Sequence, residues 1–414
     1  MKEMILMKKY DVLILCRFFR PDQITAANLA FETAEDLVKK GLKVKVVCGR
    51  TKGVVSNKKA PKKETINNIE IRRLNYLQLS KSSKMGRIIS YLAFILAIIV
   101  NWRLLVQTKC VVVYSDPPIM PFIAALNKKM FKINFIFVSY DIFPDIPIAT
   151  KHISEKSVIC KVMKKSNDFV DKNVSEIVAL SNDMKDYILK TRKYISEDRI
   201  KVIPNWSSLN NIDFSKEIQN YAIKELSAQF EIIILYSGNM GIAQDMNTIL
   251  DSAKYMKNSE NVLFVFTGNG QKVDHIKSEV NRLNLNNVRV YDYLKNQDYI
   301  DMLRAADAHV ISLVEDISGM AVPSKTYSYM AIGRPLIAIM SEHTDIAIDI
   351  KNYELGCVIN PNDIDKFVNY VEYLLENKNE VFQIGNRVLK VFNNKYTQEI
   401  NTKKYYKMIK GIID

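Results

Sequence analysis

The chain has 414 residues, with 59 Lys and Arg against 45 Asp and Glu, a formal net charge of +14. That length predicts two or three domains, and 48% hydrophobic with 25% charged residues excludes a mainly disordered chain. Five scattered cysteines, odd in number and without a CxxC pair, exclude a disulfide framework or a cysteine zinc site and fit a reducing compartment.

The opening MKEMILMKKYDVLILC lacks a long apolar run ending in a small-residue cleavage site, and reads as a lead into a strand at 11–16 rather than a signal peptide. Ala27, Ala30, Phe31, Ala34, Leu37 and Val38 then recur at helical spacing, and Gly41 stands where a left-handed cap is wanted. Strands are predicted at 43–48 and 69–74. Basic residues cluster at Lys58, Lys59, Lys62 and Lys63, and again at Lys81, Lys84 and Arg87. With the net charge, they favour an anionic partner, whether a phosphate-rich substrate, nucleic acid or the inner leaflet, the competing reading being that much of the charge is solvated lysine.

Residues 88–106, IISYLAFILAIIVNWRLLV, are the most apolar stretch. The unbroken run from Ile88 to Val100 is 13 residues, short of the roughly 20 that a spanning helix needs. One reading is a buried core helix. The other is a helix lying in the membrane interface, with basic residues upstream and Trp102 at headgroup depth. The second is preferred, because a helix apolar on nearly every side must be covered by something.

Strand and helix continue to alternate: strands at 111–114, 134–139 and 176–180, with helices after Pro118 and around 154–170. The pattern lapses over 204–230 and restarts with strands at 231–236, 262–267, 288–291, 310–313, 336–339 and 357–359. Helices are predicted at 244–257, 271–283 and 299–305, and from 364 to the end. The order implies α/β architecture with two doubly wound, Rossmann-like domains, 1–205 and 206–396, whose ligands sit at the carboxyl ends of the strands facing a cleft.

Three turns of the second domain carry candidate chemistry. In Val322-Pro323-Ser324-Lys325-Thr326, Ser324 is a fitting N-cap, Pro323 blocks backward extension, and Gly333 with Pro335 closes a helix of about two turns. A helix start suits a diphosphate, and a cation there, Lys325, is unfavourable unless an anion compensates it. The competing reading leaves Lys325 simply solvated. Tyr236-Ser237-Gly238-Asn239-Met240-Gly241 and Thr267-Gly268-Asn269-Gly270 leave neighbouring strands, where glycine permits close approach to a ligand. In the first domain, Asp141 within Tyr140-Asp141-Ile142-Phe143-Pro144-Asp145 is either a polar catalytic group or a turn cap. Asp116-Pro117-Pro118 reads as turn chemistry alone. The four His are scattered, and no metal-ligand constellation is visible.

LYSGNMGIAQDMNTILDSA, VFTGNG and AVPSKTYSYMAIGRPLIA resemble the retaining family 4 glycosyltransferases of GT-B fold, most of all the bacterial surface-polysaccharide enzymes of the fucosamine-transferring type. FFRPDQITAANLAFETAEDLVKKG, YSDPPIMPFIAAL and YDIFPD resemble the first-domain loops of that family more loosely. By this resemblance, Ser324, Lys325 and Thr326 take the donor diphosphate. Asn239, Gly241 and Gly268 lie near phosphates and sugar, Tyr293 and Leu294 near the base, and 397–414 forms a C-terminal helix crossing back to the first domain. The chain departs from the family where a Glu-x7-Glu pattern is usual: Met320 and Ser328 occupy those places, Ser328 being the expected donor-binding residue where the second Glu holds ribose hydroxyls, with Ser318, Glu315 or Asp316 as substitutes. The usual Arg and Lys after the first strand are replaced by neutral Asn239 and Gln244.

The implied activity is transfer of a sugar, an N-acetylated hexosamine being expected, from a UDP-linked nucleotide-sugar to a lipid-linked saccharide, with retention, in capsule, O-antigen or exopolysaccharide biosynthesis. Lys325 and Asp141 are the expected catalytic residues. No metal or other cofactor and no nucleic acid partner are expected. The expected location is cytoplasmic, attached peripherally to the inner face of the cell membrane. The alternatives are a nucleotide-sugar epimerase of the same architecture and a non-catalytic partner subunit.

Overall fold

Runs of Val, Ile and Leu covered on both faces make buried parallel strands, and they form the centre of each sheet. The computed structural model describes residues 8–51, 59–79, 84–207, 209 and 216–414. Lys58 and Lys81 of the basic clusters lie outside these residues, as does the side chain of Lys84. The chain divides into two compact units. One comprises Met1–Ser208, Met320–Val322 and Gln398–Asp414; the other comprises Leu209–Gly319 and Pro323–Thr397.

The first unit runs β1 (Tyr10–Leu15), α1 (Thr25–Lys39), β2 (Val44–Gly49), β3 (Lys63–Ile66), β4 (Ile69–Leu74), α2 (Lys84–Val100), β5 (Thr108–Tyr114) and α3 (Met120–Phe131). It continues through β6 (Asn134–Val138), α4 (Asp145–Ala149), α5 (Val158–Asn173), β7 (Glu176–Ala179), α6 (Asn182–Thr191) and β8 (Ile200–Val202). The sheet order is β3-β4-β2-β1-β5-β6-β7-β8, with Leu13 paired to Lys45 on one side and Val111 on the other. The expectation of purely parallel βα units misses β3, which pairs antiparallel to β4. Its signal was Asn67-Asn68, both at positive φ, a two-residue hairpin turn that asparagine tolerates.

α2 bears out the core-helix reading on one face only and leaves the opposite face apolar and exposed. Phe94 and Ile98 are 0% and 1% exposed and join the core, whereas Leu92, Leu96 and Val100 are 57%, 61% and 76% exposed. Met85, Ile88, Ile89 and Ile99 complete the outward stripe. The expected placing of Trp102 fails. The helix ends at Val100, a short 3-10 helix follows over Trp102–Gln107, and the indole packs against Phe131 with its Nε1 buried. Asn101, whose amide bonds back to the Ala97 carbonyl, ends the helix and turns the ring inward. Among the described residues no helix is long and apolar enough to cross a membrane.

The second unit runs α7 (Tyr221–Gln229), β9 (Ile232–Asn239), α8 (Asn247–Tyr255), β10 (Val262–Asn269), α9 (Val273–Leu283), β11 (Val288–Tyr291), α10 (Asn296–Ala305) and β12 (Ala308–Ser312). Then come α11 (Lys325–Ile332), β13 (Leu336–Ile339), α12 (Asp345–Asn352), β14 (Gly356–Ile359), α13 (Ile364–Glu376) and α14 (Lys378–Lys395). All neighbours in the order β11-β10-β9-β12-β13-β14 are parallel. The last helix, α15 (Gln398–Ile413), belongs to the first unit. Its Tyr405 and Ile409 are buried, and Tyr405 meets Trp206 edge-on at 6.1 Å. The Trp206 indole N–H donates to Glu32 of α1 at 2.6 Å.

Candidate functional site

The candidate site of the second unit centres on the start of α11. Its register is set by Tyr329, whose hydroxyl accepts from the Ser237 N–H at 2.8 Å and donates to the Ser237 carbonyl at 3.0 Å. That pair of hydrogen bonds ties the helix to the carboxyl end of β9. Gly333, at φ +72°, caps the helix as the sequence implies. Ser324 does not act as the expected side-chain cap: its backbone is already helical and its hydroxyl makes no capping bond. The Thr326 N–H instead donates to the Pro323 carbonyl at 3.1 Å.

Lys325 is not solvated. The residue keeps some exposure, but its Nζ is buried and has no hydrogen-bond partner. The ammonium lies 3.5 Å from the centroid of the Tyr236 ring. Burial alone drives its pKa well below the ordinary lysine value. Gly238 makes the room, since a Cβ built there would lie 3.1 Å from that Nζ. The Oγ1 of Thr326 and the Oγ of Ser318 are likewise buried without partners. Three orphaned polar atoms thus fall within nine residues of chain, where a finished core would satisfy them.

The glycine turns need correction. β9 and β10 run on past their expected ends, with Gly238 paired to Gly268 and Asn239 to Asn269. A Cβ on Gly268 would fall 2.0 Å from the Gly238 carbonyl oxygen, so the strand contact by itself demands glycine at 268. Asn239 and Gly241 border the loop that follows, in which Gln244 Oε1 accepts from the Gly241 N–H at 3.0 Å. Tyr293 is exposed and Leu294 half-buried, both beyond the end of β11. Ser328, in the place of the family's second Glu, shares a hydrogen bond with Tyr299, whose hydroxyl burial pushes up to about 12.

In the first unit, Asp141 follows β6. It bridges to Ala321, and the Ile142 N–H donates to the Met320 carbonyl at 3.0 Å. The residue is exposed, yet the protein crowded around its carboxyl, with Asp116 nearby, pushes the pKa up to about 6. Asp116, read from sequence as turn chemistry, is ion-paired to Arg17 at 3.6 Å. The buried Arg17 guanidinium lies 4.8 Å from the ring centroids of both Phe18 and Tyr91. Arg17 was missed; the available signal was a charged residue at the carboxyl end of a buried strand.

Residues 26–210 match the family described as Glycosyltransferase Family 4, and residues 217–390 match glycosyl transferases group 1. The probable glycosyltransferase WbjE of Pseudomonas aeruginosa is 21% identical over 307 residues, 72% of this chain and 74% of that protein. The putative colanic acid biosynthesis glycosyl transferase WcaI of Escherichia coli K12 is 19% identical over 202 residues, 47% of this chain and 48% of that protein. Among solved structures, HepE of Anabaena in complex with UDP-glucose superposes with a TM-score of 0.69 at 12% identity, covering 97% of this chain and 100% of that one. The protein is therefore an enzyme, a glycosyltransferase built on the GT-B fold. Its residues 26–210 are of the glycosyltransferase family 4 type.

Proposed function

We propose that the chain transfers an N-acetylated hexosamine, of the fucosamine type, from a UDP-linked donor to a lipid-linked saccharide during surface-polysaccharide synthesis, with retention. The observation that carries this is the buried, unpartnered Lys325 ammonium at the start of α11. A diphosphate leaving group gains negative charge in the transition state, and a preorganised cation in a desolvated site stabilises that charge most. Ser324 and Thr326 flank Lys325 on the phosphates, Asn239 and Gly241 line the sugar side, and Tyr293 and Leu294 receive the base. HepE, solved with UDP-glucose, supports a UDP-linked donor, and WcaI, named for colanic acid biosynthesis, supports a polysaccharide product. Asp141 orients the acceptor hydroxyl.

The acceptor reading implies a lipid surface. The outward stripe of α2 is apolar from Ile88 to Val100, and the exposed Arg87 and Arg103 flank it. That is the composition of a helix lying in an anionic interface, so the proposed location is the inner face of the cell membrane. The test is binding of UDP and of uridine to wild type and Lys325→Ala. Selective loss of UDP is expected; equal loss of both contradicts the assignment.

A further inference from the structure

The loop after β9 is neutral from Asn239 to Gln244, although it borders the proposed diphosphate site. One cation, Lys325, is a sparse counter-charge for a leaving diphosphate. The fold supplies another from the neighbouring strand. β10 is seated directly on β9, and a Cβ on Gly270 would fall 2.4 Å from the Met240 carbonyl oxygen. That contact delivers Lys272, the residue before α9, to the loop. Its backbone N–H donates to the Met240 carbonyl at 3.0 Å, and its Nζ donates to the Gln244 carbonyl at 2.6 Å.

Lys272 is half-buried and burial lowers its pKa, with only Asp245 opposing the shift. The Asp245 carboxylate is otherwise engaged. It accepts the N–H groups of Asn247 and Thr248 and the Thr248 hydroxyl. Among the described residues no carboxylate lies within ion-pair distance of the Lys272 Nζ. Two desolvated lysines without carboxylate partners thus hold the two ends of one neutral loop, Lys325 at Gly238 and Lys272 at Gln244.

We propose that Lys272 is a second cation for the donor diphosphate, taking over the charge that Asn239 and Gln244 lack. This rests on the nucleoside-diphosphate reading of the Lys325 site. On donor binding the ammonium keeps one hydrogen bond to the loop carbonyl and turns another toward phosphate oxygen, as its three donors allow.

The experiment is calorimetric titration of wild type, Lys272→Met, Lys272→Arg and Lys325→Met with UDP, GDP and dTDP and with the matching nucleosides. Lys272→Met is expected to weaken the bound diphosphate by about 10-fold or more, the worth of one charged hydrogen bond. Its nucleoside affinity should stay within about 2-fold, and Lys272→Arg should recover most of the loss. The salt dependence of diphosphate binding should be shallower in Lys272→Met than in wild type. If Lys272→Met weakens diphosphate and nucleoside equally, or neither, while Lys325→Met is selective for the diphosphate, Lys272 only ties the loop and the inference fails alone. If wild type binds no diphosphate better than its nucleoside, the donor reading fails and takes the inference with it. Should Lys272→Met not fold, Lys272→Gln, which keeps a donor for the Gln244 carbonyl, carries the same comparison.

Discussion

Replacing Lys325 with Met separates the cost of the site from its use. A buried ammonium with no hydrogen-bond partner is an uncompensated charge, worth about 3–5 kcal/mol of destabilisation. The Tyr236 ring at 3.5 Å returns about 2 kcal/mol by cation–π attraction. Methionine fills similar volume without the charge, so Lys325→Met should stabilise the unliganded protein by about 1–3 kcal/mol. For a unit of this size that is about 2–4 °C in Tm for each kcal/mol. Because the folded state depresses the lysine pKa, the unfolded chain holds that proton more tightly. The wild type therefore gains stability as pH rises toward 10.5, and the advantage of Met is largest at low pH and vanishes near that value. Ligand binding runs the other way. UDP should lose about 10- to 150-fold in affinity, the range for hydrogen bonds to a charged group, and the UDP-induced rise in Tm should collapse. Above the depressed pKa the wild type takes up a proton on binding, so its binding heat varies with the buffer's ionisation enthalpy; that dependence should vanish in Lys325→Met. Thermal melts with and without UDP across pH provide the readout. A Met variant that melts lower than wild type and keeps its UDP shift would refute the reasoning.

Leu92→Glu combined with Leu96→Glu should abolish sedimentation with anionic vesicles while leaving Tm unchanged, since both side chains face water; Ile98→Glu, on the buried face, should unfold the first unit. Asp141→Asn should lower kcat more than KM and remove an acid limb of activity centred near pH 6, the value to which burial and Asp116 raise its carboxyl. The same raised pKa makes the wild type lose stability as pH rises from 3.8 through about 6, a slope that Asp141→Asn should flatten in denaturant titrations. Gly268→Ala should be destabilised by several kcal/mol, on the order of a severe core lesion, because its Cβ would stand 2.0 Å from the Gly238 carbonyl oxygen at φ +137°; a normal urea midpoint would contradict this.

Much of the sheet framework was legible because buried parallel strands write themselves as short Val, Ile and Leu runs, as at β1 and β9. The edge hairpin was not, because β3 alternates half-buried and exposed residues and blends into a lysine-rich stretch. Gly238 and Gly268 were read as turns because glycine in a strand looks like a break until the partner strand is known. Lys325 was legible in kind, as a cation at a helix start, but its burial was not. That burial comes from Tyr236 and Gly238 on β9, almost 90 residues away in the chain. Arg17 and Lys272 were invisible for the same reason, since each matters only through a neighbour on another strand.

α2 and Lys325 break a local rule in the same sense: each holds a group in an environment that costs free energy until something else arrives. The stripe from Met85 to Val100 exposes apolar surface to water, and the Lys325 ammonium is desolvated without an acceptor. His309 shows that burial without a partner does not by itself mark a site. Its Nδ1 is also buried and unbonded, but the ring stacks on Tyr329 at 4.5 Å, and burial lowers its pKa to about 3. At neutral pH it is uncharged, and its Nε2 is already bonded to the Leu303 carbonyl. The remaining cost is one weak acceptor left unmet, small enough for the core to absorb. A lysine can also shed its proton, but doing so forfeits the charge for which Gly238 leaves space. The charge, rather than the burial, therefore separates the two groups, and that difference is why the anion-binding role is proposed for Lys325 and none for His309.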